Sequence, residues 1–267
     1  MPLPLGKHNP RLQMLRALRT NQGRSDQQKF IFEGWTLLHE ALASGLAIDA
    51  LYVTPVALDN HPSIGQMENT LAVYVVDQGT FERLSDVQSP SGILAVAATQ
   101  LVPVTDLLTE PGHVLLLADL SDPGNAGTLI RSAEAFGVKR VIVGSLGVQP
   151  YHPKLVRSAM GSLFRMRLAL ASPDAVAAAA RARGFRIFGT DAQGEPIDRT
   201  PLPPSTVLAV GQERRGLGEW SAVCERLVGI PMVGRLDSLN AAVAGSIVLY
   251  EASKRGLLHH DEPVKIV

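Results

Sequence analysis

Residues 113–137 read HVLLLADLSDPGNAGTLIRSAEAFG, and this stretch indicates the fold. Val114–Asp119 is a nearly continuous apolar run, which is typical of a strand that a parallel sheet buries on both faces. A turn containing proline and glycine follows, and apolar residues then recur at helical spacing up to Gly137, a residue type that often ends helices. A strand, a turn and a helix in this order predict one βα unit of an open α/β sheet.

The same alternation of short apolar strands and helical stretches extends in both directions. We predict strands at residues 30–33, 50–54, 71–76, 93–98, 140–144, 165–170, 186–190, 206–211 and 227–230. We predict helices at residues 35–45, 154–161, 175–183 and 239–255. The fold class is therefore α/β. A small domain over residues 1–100 precedes a linker over 101–112, which contains Pro103 and Pro111, and a domain with an open, mainly parallel sheet over 113–267.

Composition restricts the class of protein. Of the 267 residues, 46% are hydrophobic, which is enough for a core. No apolar run approaches the ~18–20 residues of a membrane span, and Met1–Pro10 lacks the apolar region of a secretory signal. Cys224 is the single cysteine and the histidines are scattered, so we predict neither a disulfide framework nor a metal site and expect a cytoplasmic location.

Charge is distributed unevenly along the chain. The net charge is +5 over residues 1–29, −9 over 30–110 and +4 over 111–170. We predict that the basic arm 1–29, which includes Lys7, and the bases within 131–167 contact phosphate, whereas the acidic segment between them would repel it. Ordinary charge variation among solvated helices is the alternative interpretation.

The sequence lacks several common active-site motifs, and three other constellations are left. No P-loop, H-E-x-x-H, G-x-S-x-G or G-x-G-x-x-G pattern occurs. In the first constellation, Asn125 is placed to cap a helix, and Arg131 either forms a surface ion pair or has a function. The second, Gly211–Gly218, follows a strand and is either a ligand loop or a plain turn. In the third, Ile230–Asn240, Ser238 is predicted to cap the last helix.

Together the three constellations resemble the ordered motifs of the SpoU family of RNA 2′-O-methyltransferases, within the SPOUT superfamily. The patterns are N-x-G-x-x-x-R-x-A-x-A-F-G, G-x-E-x-x-G-L and I-P-M-x-G-x-x-x-S-L-N, in the family's order, and the resemblance covers about residues 113–256. Residues 1–100 resemble the substrate-binding domain that precedes the catalytic domain in some members, most clearly at Phe30–Gly34.

The resemblance implies a fold, a cofactor and a set of site residues. The expected fold is a deep trefoil knot in the C-terminal domain after a small L30e-like domain, and the expected cofactor is S-adenosylmethionine, without a metal. It places the cofactor-binding residues at Thr190, Gly211, Ile230, Met232 and Leu239. It places residues that support the pocket and the reacting groups at Glu213, Ser238 and Asn240.

Arg131 matches the arginine that the family assigns as general base toward the ribose 2′-hydroxyl. Because a guanidinium pKa exceeds about 12, stabilisation of the developing alkoxide by a charged Arg131 is physically easier. Asn125 is expected to position Arg131 or an RNA phosphate.

The resemblance also implies a homodimer in which Arg131 serves its own or the partner's pocket. The small side chains at Ala241, Ala244, Gly245 and Ser246 fit a close helix contact, either across that dimer or within one chain. RNA binding is expected at Arg11, Arg16, Arg19, Lys29, Lys154 and Arg157.

The function that the resemblance implies is transfer of a methyl group from S-adenosylmethionine to a ribose 2′-hydroxyl of RNA, with ribosomal RNA favoured by analogy. A transfer RNA methyltransferase is one alternative. A non-catalytic RNA-binding or ribosome-assembly protein with a degenerate pocket is another. A base-nitrogen methyltransferase is disfavoured because the arginine of the first motif and the S-L-N of the third fit the 2′-O branch.

Overall fold

The computed structural model of the protein describes residues 2–6, 9–234 and 238–254. Lys7 of the predicted arm, residues 235–237 of the third motif and residue 255 of the predicted last helix lie outside the described residues. The strands are β1 Leu3–Pro4, β2 Lys29–Glu33, β3 Ile48–Val53, β4 Ala72–Val75, β5 Ile93–Ala98, β6 Gly112–Leu117, β7 Arg140–Gly144, β8 Arg167–Ala171, β9 Arg186–Pro196, β10 Ser205–Val210 and β11 Arg226–Gly229. The helices are α1 Pro10–Ala17, α2 Asn21–Gln27, α3 Trp35–Ala43, α4 Pro55–Asn60, α5 Ser63–Gln66, α6 Gln78–Leu84, α7 Val104–Leu107, α8 Pro123–Ala135, α9 Pro153–Ser158, α10 Pro173–Arg183 and α11 Ala241–Ser253, with 3-10 turns at Met67–Asn69, Ser162–Arg165 and Gly218–Val223.

The N-terminal unit comprises Met1–Gln100 together with Tyr151–Arg165. Its sheet has the order β1-β4-β3-β5-β2, in which β5 is antiparallel to both of its neighbours and the other pairs are parallel. The residues predicted as a basic arm fold instead as α1 and α2. The prediction of an arm is wrong because Leu12, Leu15 and Leu18 recur at helical spacing and are at most 1% exposed in the core of this unit.

The C-terminal unit comprises Leu101–Pro150 and Met166–Val267. Residues 101–112, predicted as a linker, belong to it: α7 starts after Pro103, and Leu107 and Leu108 are fully buried in its core. The segment Tyr151–Arg165, predicted to lie in the second domain, belongs to the N-terminal unit. Prolines suggested a linker here, but proline is also common at helix starts.

The sheet of the C-terminal unit is wholly parallel, in the order β11-β9-β10-β6-β7-β8, as the α/β interpretation predicted. From the centre the chain proceeds outward through β6, β7 and β8, and the later strands fill the other half. The direction in which the chain adds strands to the sheet therefore reverses between β6 and β10. Open α/β sheets bind ligands at the carboxyl ends of the strands near such a reversal. No described helix combines the length and apolar character needed to cross a membrane.

Candidate active site

Helix α8 begins at Pro123, and its cap is Asp122 rather than Asn125. The Asp122 carboxylate accepts a hydrogen bond from the backbone N–H of Asn125 at 2.8 Å. The predicted cap is wrong because proline favours the first helical position, which puts the cap at the residue before it. Asn125 lies in the first turn of the helix, and its side chain has other partners.

A polar cluster joins one residue from each of the three motifs. The Asn125 amide donates to Oε1 of Glu213, and the Asn240 amide donates to Asn125 Oδ1 at 3.2 Å and to Glu213 Oε1 at 3.3 Å. The Ala241 N–H also donates to Glu213 Oε1, at 3.4 Å. One carboxylate oxygen therefore accepts from three donors and holds the segments together.

Asn240, not Ser238, caps the last helix. Its Oδ1 accepts from two first-turn N–H groups of α11, at 3.0 and 3.3 Å. The prediction for Ser238 is wrong because the helix starts two residues later than the serine requires, with an asparagine directly before it. Ser238 lies instead at the wall of a cavity.

This cavity, of about 400 Å³, lies at the ends of β10 and β11 and beside residues 190–193 of β9. Its walls include seven of the residues predicted for the cofactor pocket and its support, namely Thr190, Gly211, Glu213, Ile230, Met232, Ser238 and Leu239. The structure thus brings the second and third motifs to one place, and the polar cluster attaches the first motif beside it.

A bulge in β9 forms one wall of the cavity. Gly189 pairs with Leu227, but the next residue, Val228, pairs with Glu195, so residues 190–194 project out of the ladder. Asp191 in this bulge lines the cavity and was not predicted, although a polar residue at a strand end was a usable signal.

The cavity carries negative charge. Asp191 and Glu213 line it, and its described lining contains no lysine, arginine or histidine. Carboxylates in the lining favour a positively charged ligand. Among the described residues, no group of three His, Cys, Asp or Glu side chains is placed to hold a metal ion.

Asp119 anchors the loop of the second motif and was also missed by sequence reasoning. Its φ is +51°, an uncommon value for a residue other than glycine. Its carbonyl accepts from Nε2 of Gln212 at 2.5 Å, and its carboxylate accepts from Nε1 of Trp220 at 2.7 Å and from the Leu146 N–H at 3.0 Å. The signal available was again a polar residue directly after a buried strand.

Helices α8 and α11 pack against each other within the chain. A Cβ at Gly245 would lie 2.4 Å from Cδ2 of Leu129 and 2.9 Å from Cγ2 of Val210, so glycine lets α11 approach these side chains closely. The hydroxyls of Ser132 and Ser246 are 2.7 Å apart. The small residues Gly245 and Ser246 therefore serve intramolecular packing, the second of the two interpretations left open.

Arg131 lies on α8, is exposed, and does not line the cavity of its own chain. Asn125, expected to position Arg131 or a phosphate, is bonded through both side-chain atoms to the other two motifs. Its expected role stays a prediction.

The six basic residues predicted to bind RNA all belong to the N-terminal unit, namely Arg11, Arg16, Arg19, Lys29, Lys154 and Arg157. Arg19 is ion-paired with Asp86, and Lys29 with Asp49 at 2.7 Å. Arg24, counted in the basic arm, is a structural residue: it is 4% exposed and donates to the carbonyls of Leu18 and Arg19.

Comparison with known proteins agrees with this geometry. The sequence model of the SpoU rRNA Methylase family matches residues 112–250, and that of the MRM3-like substrate binding domain matches residues 9–95. The chain is 30% identical over 246 residues to the 23S rRNA (guanosine(2553)-2′-O)-methyltransferase RlmP of Bacillus subtilis (strain 168), which spans 91% of this chain and 95% of that relative.

Two solved structures resemble the whole chain. The AdoMet-bound rRNA methyltransferase from Sinorhizobium meliloti gives a TM-score of 0.83 at 27% identity, over 96% of this chain and 98% of that one. The SpoU methyltransferase AviRb from Streptomyces viridochromogenes, in complex with AdoMet, gives 0.81 at 28% identity, over 92% of this chain and 98% of that one. From its motifs, its fold and these matches, the chain belongs to the SpoU rRNA Methylase family.

Proposed function

We propose that this protein transfers a methyl group from S-adenosylmethionine to a ribose 2′-hydroxyl of ribosomal RNA. The observation that carries the proposal is the convergence of all three motifs on one acidic cavity. The Bacillus relative is by its name a 2′-O-methyltransferase of 23S rRNA, and two structural relatives have AdoMet bound.

The cavity residues suit S-adenosylmethionine. Ile230, Met232 and Leu239 give apolar walls that would hold the adenosyl group, while Asp191 and Glu213 put negative charge where a cationic ligand needs it. When bound, S-adenosylmethionine supplies an electrophilic methyl group on a positively charged sulfur.

Arg131 acts on the other reactant in this proposal. As a permanently charged guanidinium, it stabilises the negative charge that develops on the 2′-oxygen. Because Arg131 is exposed and does not line its own chain's cavity, it is available to a second subunit.

We propose that the enzyme is a homodimer, in which Arg131 of one subunit is available to the cavity of the other. Val243 and Tyr250 on α11 are 48% and 45% exposed, and large apolar side chains exposed on one helix favour a protein contact. We also propose that the C-terminal unit is knotted. This is supported by the path of the chain, since β11 is an edge strand but α11, which follows it, packs on β10 and α8.

For the N-terminal unit we propose an L30e-like fold and a role in RNA binding, supported by its mixed α/β sheet and its match to a substrate-binding domain. The cytoplasmic location stays a prediction.

Tritiated methyl transfer tests the reaction. The purified protein is incubated with labelled S-adenosylmethionine and with ribosomal or transfer RNA transcribed in vitro, which carries no prior methylation. We expect label in ribosomal RNA at one position, where the methylated ribose blocks alkaline cleavage of the adjacent phosphodiester bond. Label in transfer RNA alone, label on a base, or no label in either RNA would each contradict the proposal.

Arg131→Ala tests the role of the guanidinium. We expect loss of methyl transfer by about a hundredfold or more, with the Kd of S-adenosylmethionine within a few-fold of wild type. Arg181→Ala, an exposed arginine on α10, is the matched control. Full activity in Arg131→Ala would remove the assigned role.

Mixed dimers test which pocket Arg131 serves. Arg131→Ala is mixed with a variant that cannot bind S-adenosylmethionine, so that only one subunit has a working pocket and only the other has the arginine. Activity recovered on mixing shows service across the dimer, and no recovery shows that each arginine serves its own subunit.

A further inference from the structure

The loop that follows β10 is closed at its base. The backbone N–H of Gln212 donates to the carbonyl of Gly216 at 2.8 Å, and the N–H of Gly216 donates back to the carbonyl of Gln212 at 2.9 Å. The Gln212 side chain is bonded to the carbonyl of Asp119. These bonds fix the three residues at the tip, Glu213, Arg214 and Arg215.

The three tip residues have different surroundings. Glu213 is directed into the polar cluster with Asn125 and Asn240. Arg214 and Arg215 are exposed, do not line the cavity, and have no hydrogen bond or ion pair to any residue that the structure describes.

Some exposed arginines of the C-terminal unit are paired, whereas Arg181 and Arg183 on α10, like Arg214 and Arg215, have no partner among the described residues. Arg186 is bonded to Glu225, and Arg226 to Glu195 at 3.2 Å. What distinguishes Arg214 and Arg215 is their position, because they put ten N–H donors without a described partner directly beside Glu213, the residue that joins the motifs.

We propose that Arg214 and Arg215 form a phosphate-binding subsite for the RNA backbone beside the target nucleotide, an inference that rests on the proposed function. Asp191 and Glu213 make the cavity negative, which suits a cationic methyl donor but repels the phosphates that accompany any target ribose. Guanidiniums at the adjoining loop tip offset that repulsion. Arginine pairs with phosphate through two parallel hydrogen bonds, so it fixes position as well as adding affinity.

A closed loop makes this subsite effective. Because the loop base and Glu213 are already held by hydrogen bonds, little backbone entropy is lost when RNA binds. Neither arginine lines the cavity, so the carboxylate of S-adenosylmethionine is not the anion that they bind in this proposal.

The test uses Arg214→Gln, Arg215→Gln and the double variant, with Arg181→Gln/Arg183→Gln on α10 as a control that removes two exposed arginines from the same unit. Three quantities are measured: the KM for RNA, the Kd of S-adenosylmethionine by calorimetry, and the dependence of RNA binding on salt by filter binding. We expect the KM to rise about tenfold for each arginine lost. We expect the slope of log K against log salt to fall by about 0.7 for each single-strand phosphate contact removed.

The Kd of S-adenosylmethionine is expected to stay within twofold of wild type in every variant. Arg214→Lys/Arg215→Lys keeps the charge but loses the two-bond geometry, so we expect it to retain the salt slope and lose part of the affinity. An unchanged KM and salt slope in the double glutamine variant would overturn the proposal. So would a weakened Kd for S-adenosylmethionine, or equal losses in the α10 control.

The proposed function can fail separately. If the wild-type protein transfers no methyl group to RNA, the function is wrong, whereas filter binding still reports whether the two arginines contact phosphate.

Discussion

Gly211→Ala is the substitution whose cost follows most directly from the structure. A Cβ at this position would lie 2.3 Å from the carbonyl oxygen of Gly216, 2.4 Å from its carbonyl carbon and 2.6 Å from the Leu217 nitrogen. Ordinary carbon contacts begin about 1 Å farther out, and the obstructing atoms are backbone, so the loop must open.

Opening the loop breaks both hydrogen bonds between Gln212 and Gly216. At about 1 kcal/mol for each bond and a further ~1 kcal/mol for residual crowding, the expected cost is about 3 kcal/mol. If the open loop no longer binds S-adenosylmethionine, the same free energy raises its Kd by roughly a hundredfold. If the protein keeps the loop closed, the cost appears as a fall in Tm of about 6–12 °C.

Calorimetry with S-adenosylmethionine and thermal unfolding together measure both outcomes. The matched control is Gly65→Ala in α5, because a Cβ there meets nothing within 4 Å and the residue lies outside the three motifs. We expect the control to retain the wild-type Kd and Tm. A Gly211→Ala variant with both quantities unchanged would refute the argument that the loop is closed as described.

Three further predictions follow from the same contacts. Glu213→Gln removes the charge that strengthens three hydrogen bonds, so we expect kcat/KM for methyl transfer to fall about tenfold. The control Glu219→Gln, six positions along, should match wild type in the same assay. Burial lowers the pKa of His113 to about 4, while the unfolded chain takes up this proton near pH 6.5. The free energy of unfolding therefore decreases by up to about 3 kcal/mol as pH falls from about 6.5 to 4. Urea unfolding should show that His113→Phe removes most of this decrease, whereas the control His39→Gln does not. Burial raises the pKa of the Cys224 thiol from its ordinary 9.0 to about 11, so alkylation at pH 8 should be about a hundredfold slower in the folded protein than in urea, and equal rates would contradict the burial.

The alternation of apolar strands and helices was sufficient to predict every strand of the parallel sheet. A continuous apolar run such as that of β6 permits few other structures. Residues 10–27 were misjudged because their charges were weighed and the spacing of Leu12, Leu15 and Leu18 was not. The prolines at 103 and 111 were read as a linker although buried Leu107 and Leu108 lie between them.

The candidate site was less predictable, because it depends on which side chains meet. Spacing along the chain predicted caps at Asn125 and Ser238, both wrongly, and the resemblance implied that Glu213 and Asn240 support the pocket. Neither indicated that Glu213 joins Asn125 to Asn240. The wall containing Asp191 arises from a bulge, and a bulge depends on the register of two strands that lie far apart in sequence.

The structure separates two kinds of motif residue, and this separation has kinetic consequences. One kind comprises the hydrogen-bonded residues of the polar cluster, namely Asn125, Glu213 and Asn240. A change in one of them displaces the cavity wall, so it lowers both the affinity for S-adenosylmethionine and the rate of methyl transfer. Arg131 and the pair at the loop tip are exposed and hold no part of the fold, so their loss leaves that affinity intact. Measuring the Kd of S-adenosylmethionine and the KM of RNA for one variant of each kind therefore distinguishes residues that position the cavity from residues that contact the RNA. A variant of the polar cluster that changed only the KM of RNA would contradict this division.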